Sequence, residues 1–239
     1  MTRESTMLFG LDFSSPVFWS AFGSILLANI VLSGDNAVVI AMAARTLQPA
    51  QRSKAIFWGS AAAIVMRIVL TIVAIQLLTL PYLKLIGAVL LVYIGVDLLR
   101  GEEEGDGEGK EINGMAAAIR TILIADLVMS LDNVLAVAAA AKGNVPLLVM
   151  GLLVSIPLII FGATLLTKVM ERFPIIITVG AALLGFLAGE MLMTDPAVVD
   201  QIGAVGDTTL TIGGFLGAAL VVALGTWMSR SHKPADAAD

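Results

Sequence analysis

Two short motifs, Ser33-Gly34-Asp35-Asn36 and Ser130-Leu131-Asp132-Asn133, set a carboxylate beside a carboxamide inside long apolar runs. An Asp at the centre of a membrane helix costs about 2.5–3.5 kcal/mol. Such a residue therefore marks a site that something must neutralise or hydrate. The agreement extends beyond the motifs. ILLANIVLSGDNAVVIAMAAR (25–45) aligns without a gap with ILIADLVMSLDNVLAVAAAAK (122–142), 97 residues later.

On a helix, Asn29, Ser33 and Asn36 fall on one polar stripe at i, i+4 and i+7. Asp126, Ser130 and Asn133 form the matching stripe in the second frame. Asp35 and Asp132 flank these stripes about 100° round the helix. Asp126, Asp132 and Asp35 with Asn29, Asn36 and Asn133 make an oxygen-rich set. Carboxylate, carboxamide, hydroxyl and carbonyl oxygens suit a hard divalent cation such as Mg, Ca or Mn. Arg67, in the next apolar run, is read as a structural counter-ion, because a guanidinium has no acceptor to offer a cation. Three acids against one arginine leave two formal negative charges, which a divalent ion would balance; protonation would remove them as well. Met129, one turn from both Asp126 and Asp132, is either a soft thioether ligand or simple core.

Composition excludes several chemistries. The 239 residues are 58% hydrophobic and 14% charged, with a mean hydropathy of +0.96. Soluble domains carry about 25% charged residues, so an integral membrane protein is expected. No cysteine is present, and the single histidine is His232 in the polar tail. Thiolate and imidazole sites within the membrane are thereby excluded, and an enzyme is not expected. No nucleotide-binding motif is present, and neither nucleic acid nor an organic cofactor is expected.

The elements that must position these residues are helices. Apolar runs at 16–44, 54–79, 82–100, 115–141, 145–167, 174–193 and 207–228 predict about seven transmembrane helices in an all-α, polytopic fold. Residues 1–15 read as a short exposed segment, with Ser15 as N-cap and Pro16 in the first turn. The first three-helix unit covers 16–100 and the second 115–193, with the helix at 207–228 outside the repeat. The tail 229–239 is expected to be disordered. Lys and Arg at 45, 52, 54, 100, 110, 168, 172, 230 and 233 fall on one side, and those at 3, 84 and 142 on the other. The positive-inside rule then puts the N-terminus outside and the C-terminus inside. The two DN helices run in opposite directions, which defines a 3+3 inverted-topology repeat with its site near the midplane. The Ser33-Gly34-Asp35 run permits a helix break that would free carbonyls for an ion; Leu131 in place of the glycine makes that break one-sided.

Asp97 and Glu190 sit at roughly mirrored places and are candidate gate or entry residues. The acidic, Gly-rich segment 101–114 reads as a cytoplasmic linker between the units. The small residues of IGGFLGAAL (212–220) allow the last helix to pack closely on its own bundle or on a second copy in a homodimer.

The paired SGDN and SLDN segments, the seven spans and the acidic mid-chain loop resemble the TerC family of integral membrane proteins over roughly 16–228. The resemblance implies manganese efflux across the bacterial inner membrane and a place among exporters with three-plus-three repeats. It assigns the intramembrane acids to Asp35, Asp126 and Asp132, beside Asn36 and Asn133. Asn29 stands where the second unit has Asp126, so the halves are not equivalent ligands. The expectation is a lipid-embedded exporter of a divalent cation, Mn²⁺ as substrate, with proton exchange as a driver. Two competitors are a membrane scaffold that supplies metal to partners and an exporter of small organic solutes.

Overall fold

A computed structural model describes residues 7–8, 11–12, 14–32, 34–77, 80–100, 110–140 and 145–231. The side chains of 7–8, 11–12, 28–32, 72, 74–77, 110–113, 132, 134–140, 145 and 230–231 lie outside that description. The linker at 101–109, the tail from 232, and the Asn29, Ser33 and Asp132 side chains therefore fall outside it. The helices are α1 (Pro16–Leu32), α2 (Gly34–Ala44), α3 (Pro49–Leu77), α4 (Leu83–Arg100), α5 (Lys110–Ala140), α6 (Val145–Arg172), α7 (Ile175–Met193), α8 (Pro196–Ile202) and α9 (Asp207–Ser231). A two-residue antiparallel pair, β1 (Met7–Leu8) and β2 (Leu11–Asp12), precedes them.

Among the described residues, five helices are each long and apolar enough to cross a membrane: α3, α5, α6, α7 and α9. The other two expected spans depart from that standard for visible reasons. The first is described in two parts, α1 up to Leu32 and α2 from Gly34, with residue 33 outside the described residues. The third, α4, carries Lys84, Asp97 and Arg100 within its 18 residues. Large apolar side chains such as Trp58, Tyr93, Phe161, Phe215 and Trp227 are exposed around the bundle, the pattern of a surface meant for lipid.

Helix ends differ from expectation where polar residues continue a helix beyond its apolar part. α3 begins at Pro49 rather than 54, because proline is pre-shaped for a first helical turn. α6 runs on to Arg172 and stops before Phe173-Pro174, since a residue preceding proline is pushed out of the helical region. α1 starts as read: Ser15 Oγ accepts the Val17 N–H at 3.2 Å. The short α8 was not expected inside the loop between the sixth and seventh spans.

The packing obeys the repeat. A Cβ placed on Gly59 of α3 would lie 2.8 Å from Ile122 Cδ1 of α5. A Cβ on Gly151 of α6 would lie 2.3 Å from Ile25 Cγ2 of α1. Ile25 and Ile122 are the equivalent residues of the two frames, so Gly59 and Gly151 correspond, 92 residues apart. In each case the second helix of one unit lies against the first helix of the other. The same relation holds between α4 and α7 at an offset of 93. It pairs Ala88 with Ala181 and Leu91 with Leu184, all buried, and Asp97 with Glu190. Gly87 abuts Met191 and Gly95 abuts Leu184, so α4 and α7 cross antiparallel. Equivalent helices running in opposite directions are what an inverted repeat requires.

α9 lies on α7 of its own bundle. Cβ atoms on Gly185 and Gly189 would collide with the backbone carbonyls of Gly217 and Gly213, at 2.4 and 2.1 Å. Glycine at these positions lets the two backbones approach, as membrane helices prefer.

Candidate functional site

The parallel course of α3 and α5 that seats Gly59 on Ile122 also brings Arg67 to Asp126. Arg67 is 2% exposed and Asp126 5%, so the pair is out of solvent and away from lipid. Arg67 Nη2 donates to Asp126 Oδ1 at 2.5 Å. Ser130, one turn on and fully buried, donates its hydroxyl to the other carboxylate oxygen at 3.2 Å. A charge-assisted bond of this kind offsets the desolvation of both ions.

Asp35 stands half-buried in the first turn of α2. Asn36 donates its backbone N–H to Asp35 Oδ1 at 2.8 Å. Asp35 lies within electrostatic reach of both Arg67 and Asp126. Three of the charged residues singled out by sequence are thus neighbours. Asn36 is buried beside them on α2, and Asn133 is half-buried on α5, three residues past Ser130. α5 continues without interruption through Leu131.

Other candidates stand elsewhere. Met129 is buried in an apolar cluster with Val39, Leu91 and Leu184, packed as core. Among the described residues, no three His, Cys, Asp or Glu side chains converge closely enough to hold a metal. Asn29 and Asp132 sit on α1 and α5, with side chains outside the description. Asp97 of α4 lines a cavity of about 90 Å³ with Met42, Arg45, Thr46 and Thr121, where α2 and α4 end and the N-terminal part of α5 passes. Arg45 closes one wall by donating to the Leu98 carbonyl at 2.8 Å. Glu190 is half-buried near the far end of α7.

Two polar clamps were not singled out in the sequence. Asp195 is 0% exposed. It caps α8 by accepting the Ala197 N–H at 2.8 Å, and it also accepts the Tyr82 and Leu85 N–H groups at 3.0 Å, capping α4. Burial works to raise its carboxyl, but the N–H groups of Leu85, Tyr82, Ala197 and Lys84 outweigh it and hold the group below the usual carboxylate value. The clamp fixes Tyr82 at a φ of 68°, an uncommon conformation for a residue with a side chain. Asp195-Pro196 is a readable cap signal for α8; its reach across to α4 is purely tertiary. At the opposite ends of the helices, Arg52 of α3 pairs with Glu171 of α6 and donates to the Arg45 carbonyl.

The family model for the integral membrane protein TerC family matches residues 14–233. The chain is 46% identical over 167 residues to the uncharacterized membrane protein YjbE of Bacillus subtilis, covering 70% of this chain and 76% of that protein. It is 26% identical over 193 residues to the uncharacterized membrane protein YceF of the same organism, covering 77% and 75%. The inner membrane protein YgdQ of Escherichia coli is 25% identical over 178 residues, covering 67% and 75%. No solved structure matches the chain. The chain belongs to the TerC family of integral membrane proteins.

Proposed function

We propose that this protein exports a divalent metal cation, Mn²⁺, from the cytoplasm through a site between α1/α2 and α5. The observation that carries the reading is the buried Arg67–Asp126–Ser130 group with Asp35 beside it. Asp35, Asp126 and Asp132 supply charge, and Asn29, Asn36 and Asn133 orient or complete the oxygen shell. Three acids against one arginine match the charge of a divalent substrate. Asp97 and Glu190, equivalent across the repeat, serve as entry residues at the two ends of the path. Acids that release the ion take up protons in its place, which couples efflux to a proton gradient. The orientation, with the N-terminus outside and the C-terminus inside, follows from the loop charges.

Membership of an integral membrane family is compatible with transport; manganese as the ion is drawn from the resemblance. The test is Mn²⁺ flux in proteoliposomes with Mg²⁺, Ca²⁺ and Zn²⁺ as competitors, for wild type and Asp132→Asn. Flux in the wild type that is lost in a folded Asp132→Asn variant is expected. Wild type that binds Mn²⁺ but moves none would favour a scaffold that hands metal to partners.

A further inference from the structure

Two positions that one half of the molecule charges have neutral counterparts in the other. The register set by Gly59 and Gly151 equates Arg67 with Ile159, and the register of the two DN frames equates Asp126 with Asn29. In sequence register both members therefore change at once, from Arg67 and Asp126 in one half to Ile159 and Asn29 in the other. Ile159 is buried in the apolar cluster that contains Ile25, Ile64 and Leu152. The chain thus carries neutral residues at both corresponding positions. Replacing a buried ion pair by apolar groups of similar volume is often neutral or stabilising, so packing alone does not call for Arg67 and Asp126.

We propose that Arg67 is a tethered competitor cation: it occupies Asp126 when no substrate ion is present, and an incoming cation must displace it. The proposal rests on the transport reading above and deepens it by naming the residue that sets ionic selectivity. A guanidinium held on Asp126 at 2.5 Å sets a threshold that a monovalent ion does not pass. A divalent ion gains twice the Coulomb energy from the same carboxylate and also draws on Asp35. Arg67 then weakens binding of every cation, weakens monovalent binding most, and keeps Asp126 neutralised in the empty carrier.

The test is Mn²⁺ binding to the purified full-length protein by equilibrium dialysis, with Na⁺ and K⁺ as competitors. Arg67→Ala is expected to bind Mn²⁺ about tenfold more tightly than wild type and to become sensitive to Na⁺ or K⁺. Added guanidinium should return the Arg67→Ala affinity to the wild-type value and leave wild type unchanged, an effect a purely structural arginine would not give. Should Arg67→Ala not fold, Arg67→Lys takes its place. Its ammonium lacks the planar fork, so Mn²⁺ affinity should rise severalfold. Wild type that binds Mn²⁺ with the same affinity as the folded variant, or a folded variant that loses Mn²⁺ binding, overturns the proposal alone. Wild type that binds no divalent cation overturns the transport reading, and this proposal with it.

Discussion

At Gly59 and Gly151 the two halves of the molecule use the same device, a glycine that admits an isoleucine from the other half. Eight residues further along each helix they part, one half placing Arg67 and the other Ile159. At this contact the packing is shared and the charge is not, whereas Asp35 and Asp132 carry charge at equivalent positions of both halves. Close packing thus records the duplication, and the departures from symmetry record where chemistry was added.

The comparison breaks most severely at the ion pair. Asp126→Ala leaves Arg67 buried without its carboxylate and should cost about 3–5 kcal/mol, read as a loss of thermal stability in detergent. Arg67→Ile combined with Asp126→Asn copies the residues of the other half and should recover most of that loss. A double variant no more stable than the single one would show that the halves do not share packing at this level.

The glycine contacts sharpen the shared side. Gly151→Ala and Gly59→Ala should each cost roughly 1–3 kcal/mol by overpacking. The cost should be larger at Gly151, where the new Cβ meets Ile25 at 2.3 Å, than at Gly59, where it meets the mobile end of Ile122 at 2.8 Å. Equal and negligible costs would dissolve the correspondence.

Asp195 gives a smaller effect with a pH signature. Its folded carboxyl lies below the ordinary value, so the unfolded chain binds its proton more readily. The clamp's contribution is complete above the usual carboxylate range, near pH 4, and is lost as pH falls through the lower folded value. Asp195→Asn should cost on the order of 1 kcal/mol at neutral pH. The gap to wild type should close in acid; a gap constant with pH would contradict the assignment.

The smallest effect is expected at Glu171. Its partner Arg52 is only partly covered, and Glu171 itself is 54% exposed. Glu171→Ala should change stability by about 0–1 kcal/mol. A loss comparable to that of Asp126→Ala would mean that exposed and buried pairs are not separated as described.

The helical fold was legible because long apolar runs in a membrane chain leave helices as the means to satisfy the backbone. The repeat was legible at 25–45 and 122–142 because the two frames align without a gap. Helix ends were less so: Pro49 to Ser53 and Lys168 to Arg172 are polar residues that extend helices past the apolar part. Arg67 and the acids were visible as charges in apolar runs, but its pairing with Asp126 depends on α3 lying parallel to α5. The reach of Asp195 to Tyr82 and Leu85, and the cavity beside Asp97, depend likewise on contacts between distant segments. Met129 could be read as ligand or core, and its neighbours Val39, Leu91 and Leu184 place it in the core.

The most direct test of whether the Arg67–Asp126 pair belongs to the working site is Mn²⁺ flux through the Arg67→Ile/Asp126→Asn double variant in proteoliposomes, beside wild type. That variant puts the neutral residues of the corresponding positions, Ile159 and Asn29, in place of the pair. A folded variant whose flux falls about tenfold or more is the predicted result; flux at the wild-type level would contradict the account.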